Sequence, residues 1–531
     1  MNLLHRRVNQ DIPTLRKVLR SQGFYGAQIT SKIDPDVRPV KVTISINQGP
    51  PYILESVDIQ IIRDDKAKII NAPDIFDIGL TLNKPAKSKP ILEAKIAIAG
   101  WYRRKGFPFP KVDDPKAIVD HKKSSLSVSF AVQPGVEAQF GYTDFIGLES
   151  VIESYIRSKL PWKKGDRFNG GLLRMLEERL MKTGLFASVN AKEGAVIDET
   201  GQVPIKVKLK ERKHRTIKGG ASYQTDEGPG VNLSWEHRNI LDRGERLKLS
   251  GSASGITLAT EGMFRRPDFL RPDQALLLNI RLAEDSPDAF KSRNITGIAQ
   301  IERNFANRMH LSAGPGLRLS KIEQFGQEER FDLISFPVHF QWDTSDQLLD
   351  PARGGRMVLQ IAPFYDFYGN DLFFYKGYAQ YSRYIDISRS PSIILALRGA
   401  LGTTGGCERD EVPADIRFYA GGGGSIRGYA FQSVGPIRNN EPIGGRSLIT
   451  MSTELRVKIT EKIGMVTFID GGSAFEAAFP DFDETLLWGG GIGFRYFTAI
   501  GPLRLDVGIP INRRTDIDDP FQIYVSIGQA F

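Results

Sequence analysis

Cysteine and histidine are scarce in this chain. Cys407 is the only cysteine among 531 residues, so no disulfide can form within the chain. The six histidines are scattered, and the sequence contains neither a His-Glu-x-x-His zinc motif nor a Gly-x-Ser-x-Gly nucleophile elbow. The histidines stand at positions 5, 121, 214, 237, 310 and 339. We therefore expect no metal site, no cofactor and no enzymatic activity.

Long apolar runs are also missing. A membrane-spanning helix needs about 18 or more consecutive apolar residues, whereas the best local run, Ile393–Leu397, ends at Arg398. This excludes a helical membrane protein but not a β-barrel, whose strands alternate apolar and polar residues. The amino terminus shows no apolar stretch of a secretory signal, because polar residues follow directly after Val8. For an envelope protein we would expect an export signal upstream of this start.

The charge balance is moderately basic, with 71 Lys and Arg against 62 Asp and Glu, a formal net charge of +9. Such a balance can indicate nucleic-acid binding, but no basic run with interleaved aromatic residues stands out. We expect no nucleic-acid partner. The phosphates of outer-membrane lipid are the counter-charge that a basic envelope protein would meet.

Three segments in the first two fifths of the chain share one pattern. Each has a helix-like run, then a glycine followed by a bulky apolar residue, then a short alternating stretch. The pairs are Gly23-Phe24, Gly106-Phe107 and Gly184-Leu185, and the glycines are 106 − 23 = 83 and 184 − 106 = 78 residues apart. Glycine directly after a helix is expected as a left-handed cap. An alternating strand follows each copy, at 40–46, 126–132 and 203–209.

This strand, helix, helix, strand, strand order resembles the polypeptide-transport-associated (POTRA) domain. The first copy shows only its second helix and final hairpin, so half of it is missing. The alternative is an unrelated α+β array with the same helix cap. With the carboxy-terminal part described next, the predicted domains are a partial POTRA domain at 1–49, POTRA domains at 50–135 and 136–213, and a β-barrel at 214–531.

The last 531 − 213 = 318 residues lose the helical period and alternate at strand spacing. The alternation is clearest in 356–367, 501–511 and 521–531, where apolar residues occupy every second position. Aromatic residues gather at 364–368 and 373–375, as in an interfacial girdle. At about 20 residues per strand and connection, this length gives about sixteen antiparallel strands of an outer-membrane barrel. A large soluble β-sheet protein is the alternative.

A long insertion between Gly405 and Arg446 contains the glycine run 421–424, followed by Ser425. No Gly-Lys-[Ser/Thr] follows the run, which argues against a phosphate-binding loop. The next four residues are Ile426, Arg427, Gly428 and Tyr429, and downstream stands a second motif of Phe468, Asp470 and Gly472. They resemble the [Val/Ile]-Arg-Gly-[Phe/Tyr] and Phe-x-Asp-x-Gly signatures of the BamA, TamA and FhaC outer-membrane insertase superfamily.

The resemblance implies that Arg427, on a loop folded into the barrel, pairs with Asp470 on the inner wall, and that Gly428 allows close backbone approach. Without the resemblance, Arg427 would be a solvated surface arginine and Asp470 a turn residue. A guanidinium–carboxylate fork in a barrel lumen would fix orientation as well as charge.

Within the superfamily, the chain resembles the TamA branch. Three POTRA units rather than five point that way, as do Tyr223–Pro229 and Trp235–Asn239, which resemble the start of that branch's barrel. The resemblance implies a Gram-negative outer-membrane location with the POTRA domains in the periplasm. It also implies a TamB-type inner-membrane-anchored partner, and unfolded outer-membrane proteins and autotransporters as substrates.

The closing seam of the barrel is predicted to be weak. The first strand, 216–223, carries Gly219 and Gly220, and the last, 521–531, carries Gly528 and ends on Phe531. Glycine lowers strand pairing stability, so this lateral seam could open and expose an edge to an incoming strand. The alternative is a passive or protein-secreting channel of the same superfamily, in which no seam opens.

Overall fold

The computed structural model describes residues 2–34, 36–37, 40–62, 71–224, 228–306, 308–368, 371–499, 501–527 and 529–531. The chain forms two compact units, Met1–Arg212 and Lys213–Phe531. Among the described residues, no helix is long and apolar enough to cross a membrane.

The first unit contains a segment of one helix and a β-hairpin, followed by two fuller α+β modules. The segment comprises α1 (Asn2–Ser21), β1 (Gln28–Asp34) and β2 (Lys41–Asn47), and its two strands pair antiparallel. The next module comprises β3 (Ile53–Ile61), a short 3-10 helix (Phe76–Ile78), α2 (Ser88–Arg104), β4 (Lys111–Val112), β5 (Lys116–Asp120) and β6 (Ser125–Gln133). The last comprises β7 (Gln139–Ile146), α3 (Glu153–Arg157), α4 (Gly170–Lys182), β8 (Phe186–Glu193) and β9 (Gln202–Glu211).

Both fuller modules pair their first strand with their last in parallel, β3 with β6 and β7 with β9. The helices cover one face of the sheet, and their apolar residues form a separate core in each module. The predicted cap glycines are confirmed, because Gly23, Gly106 and Gly184 have φ angles of +97°, +103° and +75°. Each lets the chain leave the helix and start the next strand.

The second unit is a closed antiparallel barrel. Its strands up to the long insertion are β10 (Arg215–Gln224), β11 (Gly228–His237), β12 (Arg246–Ala253), β13 (Thr257–Pro267), β14 (Gln274–Asp285), β15 (Lys291–Phe305), β16 (Met309–Ala313), β17 (Gly316–Gln324), β18 (Gln327–Ser335), β19 (Val338–Asp343), β20 (Gly354–Asp366), β21 (Phe373–Arg389) and β22 (Ser392–Gly405). The insertion holds the short pair β23 (Ile437–Arg438) and β24 (Glu441–Pro442). The remaining strands are β25 (Ser447–Lys458), β26 (Ile463–Phe475), β27 (Leu487–Thr498), β28 (Gly501–Pro510) and β29 (Gln522–Ile527).

The eighteen barrel segments amount to sixteen strands. β16 and β17 both pair with β15, and β18 and β19 both pair with β20. Pro315 and Pro337 separate the two halves of these strands, since proline cannot donate to the ladder. Counting each pair once gives 18 − 2 = 16 strands, which confirms the predicted fold class. With an even number of antiparallel strands, the first strand begins and the last strand ends at the same rim of the barrel. We call this rim, where β10 begins, the lower rim.

Side chains alternate between the outer face and the lumen. On β28, Leu503 and Leu505 are exposed on the outer face, whereas Arg504 and Asp506 are buried inside. The predicted aromatic girdle is outward in part: Tyr365, Phe367, Phe373 and Tyr375 are exposed. Phe374 is instead fully buried and stacks on Phe364. The barrel therefore has an apolar exterior and a charged interior.

Candidate functional site

The insertion folds back into the barrel. We call residues 406–446 the lumen loop and Gly424–Tyr429 its tip. Ile426 and Tyr429 are fully buried and belong to an apolar cluster that joins the loop to the inner wall. The other buried members of the cluster are Phe418, Ala420, Val434, Leu448, Ala474 and Leu487. The loop thus packs on the wall as a fixed part of the unit.

Arg427 meets Asp470 in the predicted fork. The Nε atom of Arg427 lies 2.6 Å from Oδ2 of Asp470, and Nη2 lies 2.9 Å from Oδ1. The backbone N–H of Arg427 also donates to Oδ2, at 3.1 Å. Both side chains are buried, Arg427 at 2% exposure and Asp470 at 0%. Two parallel hydrogen bonds fix the guanidinium plane as well as its position.

Two further carboxylates reach the same guanidinium. Nη1 of Arg427 lies 2.6 Å from Oε1 of Glu454 on β25 and 3.0 Å from Oδ2 of Asp506 on β28. The guanidinium carbon also lies 3.5 Å from the ring centre of Phe468. Sequence analysis missed Glu454 and Asp506. The sequence signal that could have found them is the alternation of their strands. Leu455, Leu505 and Val507 face outward, so the residues next to them in sequence face the lumen.

Other arginines balance the additional carboxylates. Arg456 donates to Glu454 at 2.8 Å, and Arg504 donates to Asp506 at 2.6 Å. Arg495 donates to the other oxygen of Asp506. Buried charges are tolerated only when paired and hydrogen-bonded, so this network ties the tip to β25, β26, β27 and β28 together.

Glycines make room for the tip against the wall. Gly428 has a φ of +101°, and a Cβ there would lie 2.6 Å from the carbonyl oxygen of Ile509. A Cβ on Gly489 would lie 1.9 Å from the carbonyl oxygen of Arg427, and one on Gly508 would lie 2.7 Å from the N atom of Gly428. The backbone of the tip therefore touches the backbone of the wall, which only glycine permits.

The remaining predicted residues of the two motifs lie close by. The hydroxyl of Tyr429 donates to the carbonyl oxygen of Trp488 at 3.0 Å. Gly472 on β26 has a φ of +151°, and a Cβ there would lie 2.1 Å from the carbonyl oxygen of Ile449. Tyr524 on β29 also reaches the tip, because its hydroxyl accepts from the N–H of Gly428 and donates to the carbonyl oxygen of Tyr429. The structure thus brings the loop motif and the lumen motif into one site.

The ladder that closes the barrel has two pairs in the part of the chain that the structure describes. Among the described residues, β10 pairs with β29 only at Tyr223↔Val525 and Gln224↔Tyr524, whereas β10 pairs with β11 over its whole length. In the described pairing, Gly219 and Gly220 lie opposite Leu233 and Asn232 of β11. Gly528 lies outside the described residues, as do residues 225–227 of the segment Tyr223–Pro229.

Family comparisons agree with this architecture. Residues 239–531 match the model of the Omp85 superfamily domain, which is more than half of the chain. The chain belongs to the Omp85 superfamily. Residues 139–212 match the POTRA family, described as a surface antigen variable number repeat.

Curated relatives of this Omp85 chain carry the name outer membrane protein assembly factor BamA. The protein from Nitratidesulfovibrio vulgaris is 22% identical over 99% of this chain and 68% of its own length. The protein from Neisseria meningitidis serogroup B is 20% identical over 75% of this chain and 57% of its own length. The printed names of these relatives describe assembly factors, in agreement with the expectation of a non-enzymatic protein.

Among solved structures, BamA from Haemophilus ducreyi lacking POTRA domains 1–3 superposes with a TM-score of 0.77 at 19% identity. The match covers 89% of this chain and 99% of that structure. It shows that the Omp85 chain shares the POTRA and barrel fold.

The prediction for Phe531 in this Omp85 chain is wrong in one respect. The last strand was expected to cover 521–531, with apolar residues at every second position up to Phe531. Instead β29 ends at Ile527, and Phe531 lies in the lumen, where its main-chain oxygen accepts from Nη2 of Arg456 at 3.0 Å. The alternation of a single strand cannot show this, because the partners of Phe531 come from distant strands.

Proposed function

We propose that this protein is an assembly factor of the Gram-negative outer membrane, which inserts β-barrel proteins through the seam between β10 and β29. The short closing ladder is the observation that carries the proposal. An incoming strand can add to the edge of β10 that has no described partner in β29, with little loss of the described pairing. The apolar exterior of the barrel supports the membrane location, and the relatives named BamA support the assembly role.

The amino-terminal unit would lie in the periplasm and hold unfolded substrates. We propose the partition into a partial POTRA domain at 1–49, POTRA domains at 50–135 and 136–213, and a barrel at 214–531. Sheet edges in these modules can accept an extended chain by strand addition. No energy source is needed if insertion of the substrate into the bilayer is itself downhill.

A disulfide lock tests the seam. In a Cys407→Ser background, Tyr223→Cys and Val525→Cys place cysteines on directly opposed residues of β10 and β29. The matched control, Ala221→Cys and Val231→Cys, locks β10 to β11 instead. With the chain in liposomes and a urea-unfolded outer-membrane protein as substrate, we expect the seam lock to stop insertion, the control lock to permit it, and a reductant to restore it.

Full insertion by the locked seam would contradict the proposal and favour a channel. The lumen loop argues against a wide channel, because its buried tip and its wall contacts fill the lumen at β25–β28.

The narrower form of the proposal is a TamA-type role, with a TamB-type partner and autotransporters among the substrates. Its support is the three-module amino-terminal part and the resemblance of the barrel start to that branch. Cross-linking in cells followed by mass spectrometry tests it: a TamB-type protein bound to residues 1–213 is expected. If none binds while insertion persists, only the narrower form fails.

A further inference from the structure

Three cations stand side by side on the outer face of the barrel. Arg293 of β15 lies directly opposite Lys321 of β17, and Lys321 lies directly opposite Arg330 of β18. We call these three residues the cation row. Their side chains are exposed, whereas the adjacent Ser292 and Ser320 are buried on the lumen side. Like charges directly opposite each other destabilise a sheet, so such a row is favourable when an anion bridges the cations.

Two carboxylates near the cation row are weakly held. Nη2 of Arg293 lies 3.2 Å from Oε1 of Glu284, and Nζ of Lys321 lies 3.1 Å from Oε1 of Glu328. Both pairs are exposed, and exposed ion pairs contribute little to stability. In the register, Glu284 lies at the end of the row and Glu328 lies in the next row toward the upper rim, opposite the lower one. Neither carboxylate separates the three cations, and a phosphate oxygen can replace either of them.

Arg330 is held in place by its neighbours. Its guanidinium carbon lies 3.9 Å from the ring centre of Tyr368, and its Nη2 lies 2.7 Å from Oδ2 of the buried Asp332. Tyr368 follows Tyr365 and Phe367 of the aromatic girdle, and all three rings are exposed. Aromatic residues of this kind mark the depth at which lipid headgroups meet the barrel.

An apolar row lies directly below the cation row. Leu282 of β14, Ile295 of β15 and Leu319 of β17 are paired with one another in the register, and we call them the apolar row. Leu282 and Ile295 are each 48% exposed on the outer face. The apolar row is two residues nearer to the lower rim than the cations, a distance of about 7 Å along a strand. Acyl chains can therefore cover the apolar row while a headgroup reaches the cations.

The two rows line one open depression of about 520 Å³. Leu258 and Thr260 of β13 extend it toward the neighbouring strand. A phosphate monoester carries close to two negative charges and three terminal oxygens, which suits three neighbouring cations. The depression thus offers a phosphate site and an apolar surface next to each other.

We propose that Arg293, Lys321 and Arg330 bind the phosphate monoester of an acylated lipid in the outer leaflet, with its acyl chains on the apolar row. The site lies on the sixth to eighth of the sixteen strands, away from the seam between the sixteenth and the first. A bound lipid therefore holds the wall at a fixed depth on the side opposite the seam. The proposal rests on the proposed outer-membrane location but not on substrate insertion.

Native mass spectrometry of the delipidated full chain in detergent tests the site, with diphosphoryl lipid A as the probe. We expect the parent to bind it at least about tenfold more tightly than the same lipid without its phosphates. The triple variant Arg293→Gln, Lys321→Gln and Arg330→Gln should lose about tenfold or more in affinity for the diphosphoryl lipid. This is the size expected for loss of one hydrogen bond to a charged group. The variant should then bind the two lipids alike.

The matched control carries Arg266→Gln, Arg303→Gln and Arg308→Gln. These arginines are exposed near the lower rim, so the control loses the same charge at the other end of the wall. Its affinity for diphosphoryl lipid A should equal that of the parent. Retention of the heat-dependent gel shift of a folded barrel shows that each variant is folded.

Equal affinities of the parent and the folded triple variant would overturn the site, as would a control whose affinity falls as much. Displacement of the lipid by an equimolar amount of inorganic phosphate would overturn the proposed lipid, because the site would then take free phosphate. The outcome is separable from the seam-lock experiment. A chain that inserts substrates but binds lipid A equally without the cation row refutes this site alone. A chain that binds lipid A through the row but inserts nothing refutes the proposed insertion alone.

Discussion

Arg427 contacts three carboxylates, but the three do not depend on it equally. Glu454 keeps Arg456, and Asp506 keeps Arg495 and Arg504, when Arg427 is removed. Asp470 has the hydroxyl of Ser452 as its other side-chain hydrogen-bond partner in the described structure. The cost of losing Arg427 therefore falls mainly on one buried charge.

Removal of Arg427 should be repaired by neutralising Asp470. We expect Arg427→Ala to destabilise the folded barrel by about 3–5 kcal/mol, because it leaves a buried carboxylate without its cation. Adding Asp470→Asn should recover most of that loss. The measurement is the urea concentration at which half of the protein no longer migrates as the folded barrel on a gel. A double variant as unstable as the single one would show that the charge of Asp470 is not the cause.

The same single variant bears on function. Arg427→Ala should still yield a folded barrel at low urea but should impair substrate insertion, because the tip is no longer fixed to the wall. The liposome assay with the urea-unfolded substrate measures this.

Glu211 gives the amino-terminal unit a pH-dependent contact. Partial burial acts to raise the pKa of this carboxyl, but the hydroxyl of Ser150 and the backbone N–H groups of Glu149, Ser150 and Val151 outweigh it and lower the pKa from 4.5 to about 2. A lowered carboxyl pKa stabilises the fold fully above the unfolded value and loses its effect as pH falls through the folded one. The contact thus holds the turn before α3.

Glu211→Gln should destabilise this turn by about 1–3 kcal/mol at neutral pH, because hydrogen bonds to a charged acceptor are lost. The difference from the parent should shrink as pH falls from 4.5 towards 2. Amide hydrogen exchange at 149–151, followed by mass spectrometry, measures it. Glu178→Gln on the exposed face of α4 is the control and should leave exchange there unchanged.

At the scale of elements, the glycines of β27 show how a strand is shaped to receive a loop. Gly489 and Gly490 are neighbours in sequence but differ in surroundings. A Cβ on Gly489 would lie 1.9 Å from the carbonyl oxygen of Arg427, whereas one on Gly490 would have its closest neighbour, on Ile511, at 3.5 Å.

Gly489→Ala should therefore displace the tip at a cost of about 1–3 kcal/mol, the usual price of overpacking. Gly490→Ala should be close to neutral. The temperature at which the folded gel band is lost measures both. If the two variants behave alike, the close approach of tip and wall does not limit stability.

The fold could be read from the sequence because periodicity and glycine caps are local signals. The alternation of Leu503, Leu505 and Val507 and the caps at Gly23 and Gly106 depend on residues near in the chain. Arg427 and Asp470 were paired only through the family resemblance. Glu454 and Gly489 were missed, because both meet Arg427 of the lumen loop, which is distant in the chain, and the sequence of their own strands does not show where that loop lies. The position of Phe531 was wrong for the same reason.

At the scale of the whole molecule, the lumen loop packs its buried residues inside the barrel, and we expect it to block the lumen. Ala420 and Val434 form a bridge that brackets the tip, so the residues between them can be replaced by a two-glycine linker without stretching the chain. The variant should conduct several-fold more current than the parent in a planar bilayer, because Ile426 and Tyr429 no longer fill the lumen. Unchanged conductance would show that the loop does not limit the pore.

The proline breaks lie on the seventh and eighth of the sixteen strands, and the seam lies between the sixteenth and the first. In the ladder, Pro315 lies beside Pro337, and Pro363 of β20 follows next to it. The strands that proline interrupts therefore lie on the opposite side of the barrel from the seam. The carbonyl oxygens of these prolines still accept hydrogen bonds, but the prolines donate none. We expect the wall to bend most easily there when the proposed seam opens.

Replacing Pro315 and Pro337 by alanine should stiffen this crease and slow substrate insertion without changing the closed barrel. The liposome assay measures the rate of insertion. The urea midpoint of barrel unfolding should stay unchanged and serves as the control. Equal rates would place the flexibility elsewhere. A wall that bends on the side opposite the seam would let the proposed opening widen while β25–β28 keep their register, so the contacts that hold the tip of the lumen loop would stay intact.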